Sequence, residues 1–172
     1  MKKVLVVTGN RIRGLNKVMK YDDLNNIEFL DYVEAMFICV QKYINEGYTH
    51  FICGGAIGVD MDFAELIIFL KENYNLNDLF LEIAVPCKDQ CKKWSYKFIE
   101  KYKCIIDKAD LVTFVSDQEY SFNCMMKRNQ YMVDKATTLL AFWNGERGGT
   151  YNTILYAKKQ RKNVEIIDLR NL

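Results

Sequence analysis

The chain has one proline, one histidine and nine glycines in 172 residues, and each scarcity narrows what it can be. So little proline and glycine excludes collagen-like and linker-like architectures. With His50 the single imidazole, a catalytic histidine pair is excluded, and so is a multi-histidine metal centre. No apolar run approaches the roughly 20 residues needed to cross a bilayer. The opening Met1–Gly9 is too short in its apolar part for a secretory leader and reads better as a first strand, so a cytoplasmic location is expected. Charge of either sign is also lacking in excess: 24 Lys+Arg against 22 Asp+Glu give a net +2, without the electrostatic footprint of a duplex-binding protein.

Apolar side chains, in contrast, make up 50% of the chain and aromatic ones 13%, which excludes disorder. The length suits one domain over residues 1–172 with a single sizeable core. Six scattered cysteines (Cys39, Cys53, Cys87, Cys91, Cys104 and Cys124), several inside apolar runs, are expected to be reduced and buried. Cys87 and Cys91 have i, i+4 spacing, but no further pair or nearby histidine completes a zinc site, so no metal and no cofactor is expected.

Short β-branched runs alternate with longer segments of helical period. Val4–Thr8, Thr49–Cys53, Leu81–Val85, Leu111–Val115, Thr138–Phe142 and Val164–Ile167 read as strands. An irregular stretch follows the first of these, and helical segments lie near 27–44, 57–73, 94–107, 125–135 and 150–160. In the first of these, Ile27, Leu30, Val33, Phe37, Val40 and Ile44 define one apolar face. The expected fold class is α/β, a Rossmann-like three-layer sandwich with a mainly parallel sheet of about six strands and helices on both faces. With strand one central and strand five returning beside it, a ligand crevice would open between them, outside their carboxyl ends.

Four segments could line that crevice. Gly54-Gly55-Ala56-Ile57-Gly58-Val59-Asp60 is a glycine turn from strand to helix, where free N–H groups attract phosphate. It is neither the dinucleotide GxGxxG fingerprint nor a P-loop. Trp143 to Thr153 supplies a second turn, with Gly148, Gly149 and Thr150 opening another helix and Trp143 placed to stack on a base. In the helical run from Cys124 to Asp134, Arg128 and Asn129 are expected at the crevice end while Met125, Met132 and Val133 pack inward. Gly9 and Arg11 follow strand one at the same edge. The Lys158–Lys162 segment reads as a solvated helix end and His50 as a loop or core-edge side chain.

Taken in order, the segments Gly47–Glu65, Ala84–Gln90, Cys124–Asp134 and Asn144–Lys158 resemble the YpsA-like branch of the SLOG superfamily. This superfamily of Rossmann-like proteins includes the LOG phosphoribohydrolases and the DNA-processing protein DprA. The resemblance implies binding, for sensing or sequestration, of a nucleotide or nucleotide-derived small molecule, and a possible homodimer. As an alternative it implies a LOG-like nucleotide N-glycosidase; DprA-like single-stranded DNA binding is disfavoured by the balanced charge. Arg128 matches the essential arginine of LOG enzymes, but Asn129 stands for their lysine and Leu155 for their glutamate. Gly9-Asn10-Arg11 also replaces the branch's usual Gly-His-Arg. Whether the chain is an enzyme is left open. The candidate catalytic carboxylates are Asp60 and Glu65, which lie five positions, about 140°, apart around one helix.

Overall fold

A computed structural model describes residues 2–121 and 123–172. Strands β1 (Val4–Gly9), β2 (His50–Cys53), β3 (Phe80–Val85), β4 (Leu111–Phe114), β5 (Thr138–Trp143) and β6 (Asn163–Asp168) form one sheet. Its order is β4-β3-β2-β1-β5-β6 and all five pairings are parallel. The connecting helices are α1 (Ile12–Leu15), α2 (Ile27–Asn45), α3 (Val59–Tyr74), α4 (Tyr96–Lys108), α5 (Cys124–Lys135) and α6 (Gly149–Lys159). The fold is therefore α/β and Rossmann-like, with strand five beside strand one as expected.

The strands read as near-continuous apolar runs because both faces are covered. Leu5, Val7, Phe51, Ile83 and Phe142 pack with Tyr32, Phe63 and Tyr102 from α2, α3 and α4. Val4, Val6, Ile52, Ala84 and Ala141 pack with Met132, Val133, Ile154 and Ala157 from α5 and α6. The order of strand addition reverses between β1 and β5: successive crossovers run toward β4 on one side and toward β6 on the other. Loops from both halves diverge there and leave a crevice at the carboxyl ends.

Three expectations need correction. Only the far end of the apolar stripe of α2 reaches the core: Val40 is buried and Ile44 packs against it, while Ile27, Leu30, Val33 and Phe37 are 69%, 44%, 46% and 39% exposed. The sheet instead takes the neighbouring stripe of Phe29, Tyr32, Met36 and Tyr43, whose phenols can be buried because Tyr32 donates to Asp62 (2.8 Å) and Tyr43 to Glu165. The stretch after β1 is not wholly irregular, since α1 forms there. Four cysteines are buried, but Cys91 is half-buried and Cys104 exposed; all six are free. Among the described residues no helix is long and apolar enough to cross a membrane.

Candidate functional site

Where β1 ends, the backbone passes unusually close to the start of α3. A Cβ on Gly9 would lie 2.5 Å from Val59 Cγ2, and one on Gly58, whose φ is +103°, would lie 2.6 Å from the Asn10 carbonyl oxygen. These glycines lock the strand-one loop against the glycine turn. Asn10 then ties that loop to strand five: its N–H donates to Phe142 O (3.2 Å) and its Oδ1 accepts from Asn144 N (2.8 Å). The Asn144 amide in turn donates to Gly14 O.

Arg128 enters from the other layer. It is 5% exposed, and its guanidinium packs against Gly54, where a Cβ would fall 1.2 Å from Nη1. Its Nε donates to Asn129 Oδ1 (2.8 Å), and Nη1 lies 3.5 Å from Ala84 O and 3.7 Å from Asp60 Oδ2. Nη2 makes no hydrogen bond to the described residues. The same Oδ2 of Asp60 accepts from the N–H of Gly54 (3.1 Å) and Ala56 (3.4 Å), while Oδ1 accepts from none of them. The one fully enclosed side-chain polar atom left without a partner among the described residues is Gln90 Oε1. Arg128 Nη2 and Asp60 Oδ1 thus keep unused hydrogen-bonding capacity in two residues that line a common cavity.

Burial sets the electrostatics of this pair. It holds the Asp60 carboxyl above the usual carboxylate range, against the opposing pull of Arg128 and the amides of Ala56 and Gly54. Burial also lowers the Arg128 guanidinium, which Asp60 partly offsets. A guanidinium, the most basic of the side chains, remains charged all the same.

The cavity has a volume of about 530 Å³, within the usual range for small-molecule sites. The start of α6 lines the same cavity, with no side-chain cap and no acidic residue in its first turn. Gly149 and Thr150 line the cavity there, so orphan N–H groups border it. Arg11 and Arg13 stand at the rim, and Lys17 and Glu146, which also line the cavity, pair at 2.6 Å.

The sequence of this chain matches the family described as the YspA SLOG family over residues 5–172. The chain belongs to that family. Among its relatives, the SPbeta prophage-derived protein YoqJ of Bacillus subtilis is 30% identical over 149 residues, covering 79% of this chain and 85% of YoqJ. The UPF0398 protein YpsA of the same organism is 27% identical over 162 residues, covering 93% and 86%. DNA processing protein A from Helicobacter pylori, whose structure was described for its single-stranded DNA binding mode, superposes with a TM-score of 0.61. It is 14% identical, and the match covers 98% of this chain and 70% of that one; the likeness is one of fold.

Within this SLOG fold the expected site residues separate into groups. Gly9, Arg11, Asp60, Arg128, Asn129, Gly149 and Thr150 line one cavity. Gly54, Gly55 and Gly58 stand behind that wall: Gly54 seats Arg128, and Gly55 takes a positive φ of +62°. Gly148 precedes α6 and lies outside the lining. Trp143 does not line the cavity either. Its ring stacks on Tyr151 at 5.5 Å and its Nε1 donates to Glu146 O (2.6 Å), so a neighbouring ring covers one face of the expected base platform. Glu65 faces a different hollow between α2 and α3, paired with Lys101 at 2.8 Å. Met125 lines the cavity rather than packing inward, unlike the buried Met132 and Val133.

Sequence reasoning missed four supporting residues. Gln90 Nε2 donates to the carbonyls of both Gly54 and Gly55 (3.2 Å each) and fixes the glycine turn. Asn10 and Asn144 brace the loops as described. Glu82, fully buried on β3, accepts from His50 (3.0 Å), Thr113 (2.9 Å), Tyr131 (2.6 Å) and Lys135 (3.2 Å). The available signal was a glutamate inside the apolar strand Phe80–Val85, since an ionised carboxylate is buried only when paired.

Proposed function

We propose that this cavity binds a nucleotide or nucleotide-derived small molecule and holds it intact, as a sensor or sequestering protein would. The observation that carries the reading is the buried Arg128, with Nη2 free, beside Asp60, with Oδ1 free, in one cavity with the uncapped start of α6. A phosphate suits the α6 end, where backbone N–H groups and the rim arginines are all donors. It would be repelled at Asp60, an acceptor suited to sugar hydroxyls. A ribose phosphate satisfies both walls at once, with its phosphate toward Gly149 and Thr150 and its hydroxyls between Asp60 and Arg128.

One observation favours a second reading, hydrolysis of the N-glycosidic bond. The burial that raises Asp60 favours its protonated form, which can donate a proton to a departing base. One experiment separates the two. Freshly purified protein is denatured and the released small molecules are identified by mass spectrometry; folded protein is then titrated with nucleoside monophosphates and ribose 5-phosphate and assayed for free base. Intact nucleotide and no free base support binding alone. Base release that is lost in Asp60→Asn supports the hydrolase. Failure of every phosphorylated ligand to bind, together with salt-sensitive retention of a single-stranded oligonucleotide, would overturn both in favour of a DNA-binding role like that of the Helicobacter pylori neighbour.

A further inference from the structure

A second cavity of about 510 Å³ lies between α5 and α6 and opens beside the first. The two share Met125, Asn129 and Gly149 as common wall. That wall is fixed by a chain of hydrogen bonds. Arg128 Nε donates to Asn129 Oδ1 (2.8 Å), Asn129 Nδ2 donates to Thr153 Oγ1 (2.9 Å), and Thr153 donates to Gly149 O (2.8 Å). Any ligand seated against Arg128 and the α6 N-terminus therefore has this groove as its neighbour.

The groove's chemistry differs from that of the arginine-lined chamber. Met126 and Leu155 expose apolar surface, at 52% and 46%, to a space that Met125 also faces. No carboxylate lines it. Two side-chain amides, Gln130 and Asn152, stand at its edges, and neither makes a hydrogen bond to the described residues. Each amide offers one donor and one acceptor side by side, the pattern that pairs with the N6/N7 edge of adenine. Thioether and branched aliphatic surface suits the faces of a flat, polarisable ring.

We propose that the α5–α6 groove receives a purine base, adenine by its donor–acceptor edge, while the ribose phosphate of the same molecule occupies the first chamber. This rests on the nucleotide reading above and assigns the base to residues outside the sheet-end crevice. Asn129 then works as a positioning residue for both halves. Trp143, which stacks on Tyr151 and lines neither cavity, has no part in base recognition.

The test is calorimetric titration of the whole chain with AMP, CMP and ribose 5-phosphate, in the wild type, Leu155→Trp and Gln130→Ala. Leu155→Trp fills the groove from an exposed position; Gln130→Ala removes an amide without altering its volume much. The expected result is that AMP binds wild type at least about tenfold tighter than ribose 5-phosphate and CMP. Both variants should bring AMP to the affinity of ribose 5-phosphate and leave ribose 5-phosphate itself unchanged. If ribose 5-phosphate binds but AMP gains nothing over it, or the variants leave the AMP advantage intact, the base assignment is overturned while the nucleotide reading stands. If no phosphorylated ligand binds wild type, both fall. Light scattering on the same samples covers another occupant: a dimer that Leu155→Trp converts to monomer would show that a second copy fills the groove, and would overturn the proposal.

Discussion

Gly54 and Arg128 are fitted to each other from opposite layers of the molecule. The guanidinium occupies the space where any other residue at position 54 would place its Cβ, 1.2 Å from Nη1. Gly54→Ala is therefore expected to displace Arg128 from the cavity wall and to cost about 1–3 kcal/mol through overpacking. Denaturant unfolding would show the stability loss, and titration with a ribose phosphate a parallel loss of affinity. Glu82 shows the opposite economy, a charge buried and fully served. Burial alone would raise its carboxyl, but the donors His50, Tyr131, Thr113 and Lys135 outweigh it and hold the group at about 2. A carboxylate held below its unfolded value adds stability that is complete above about pH 4.5 and is lost as pH falls toward 2. The shift is equivalent to about 3 kcal/mol at neutral pH. Glu82→Gln should remove a contribution of that size and flatten the acid limb of the stability–pH curve between those limits, as followed by unfolding at stepped pH.

At the scale of elements, α6 is a helix left unfinished at its start. It has no capping side chain and no acid in its first turn, whereas α2 carries both an Asn26 cap and Glu28. A helix that forgoes this stabilisation keeps its positive end available for a ligand anion. Thr150→Glu should supply the missing charge: helix stability rises by about 0.3–1 kcal/mol, while binding of a phosphorylated ligand falls by tenfold or more. Opposite signs in a thermal melt and a titration of the same variant would identify the site as electrostatic rather than structural. The elements themselves were largely legible in the sequence. The β-branched runs at Val4, Thr49, Leu81 and Thr138 locate strands within a residue or two, and the two glycine turns locate the helix starts at the sheet's edge. The α2 face was not legible, because that helix is apolar on two adjacent stripes and only tertiary partners for Tyr32 and Tyr43 decide between them. Nor did sequence foretell that Arg128 is buried rather than solvated. That depends on a hollow left by a glycine 74 positions away, a long-range fit without local periodicity.

At the scale of the whole molecule, the candidate site is where the two helical layers meet around the end of the sheet. Strand one, the glycine turn before α3 and the loop after strand five come from the sheet; Arg128 and Asn129 come from α5, which the Glu82 cluster ties down near its other end through Tyr131 and Lys135. A ligand spanning Arg128, Asp60 and the α6 N-terminus would cross-link these parts and would bind only when all are folded together. Binding should then raise global stability by mass action, by about 2.7 kcal/mol at a free ligand concentration of one hundred times Kd. For a chain of this size that corresponds to about 5–10 °C in Tm. Arg128→Met should abolish the ligand-dependent rise, since it leaves the anion without its buried counter-charge. Trp143→Phe should retain the rise, because that ring lies outside the cavity and rests on Tyr151. A thermal scan of the three proteins with and without ribose 5-phosphate checks both expectations together. Loss of the shift in Trp143→Phe with retention in Arg128→Met would place the ligand on the far side of the β5–α6 loop, away from the wall that Arg128 and Asp60 share.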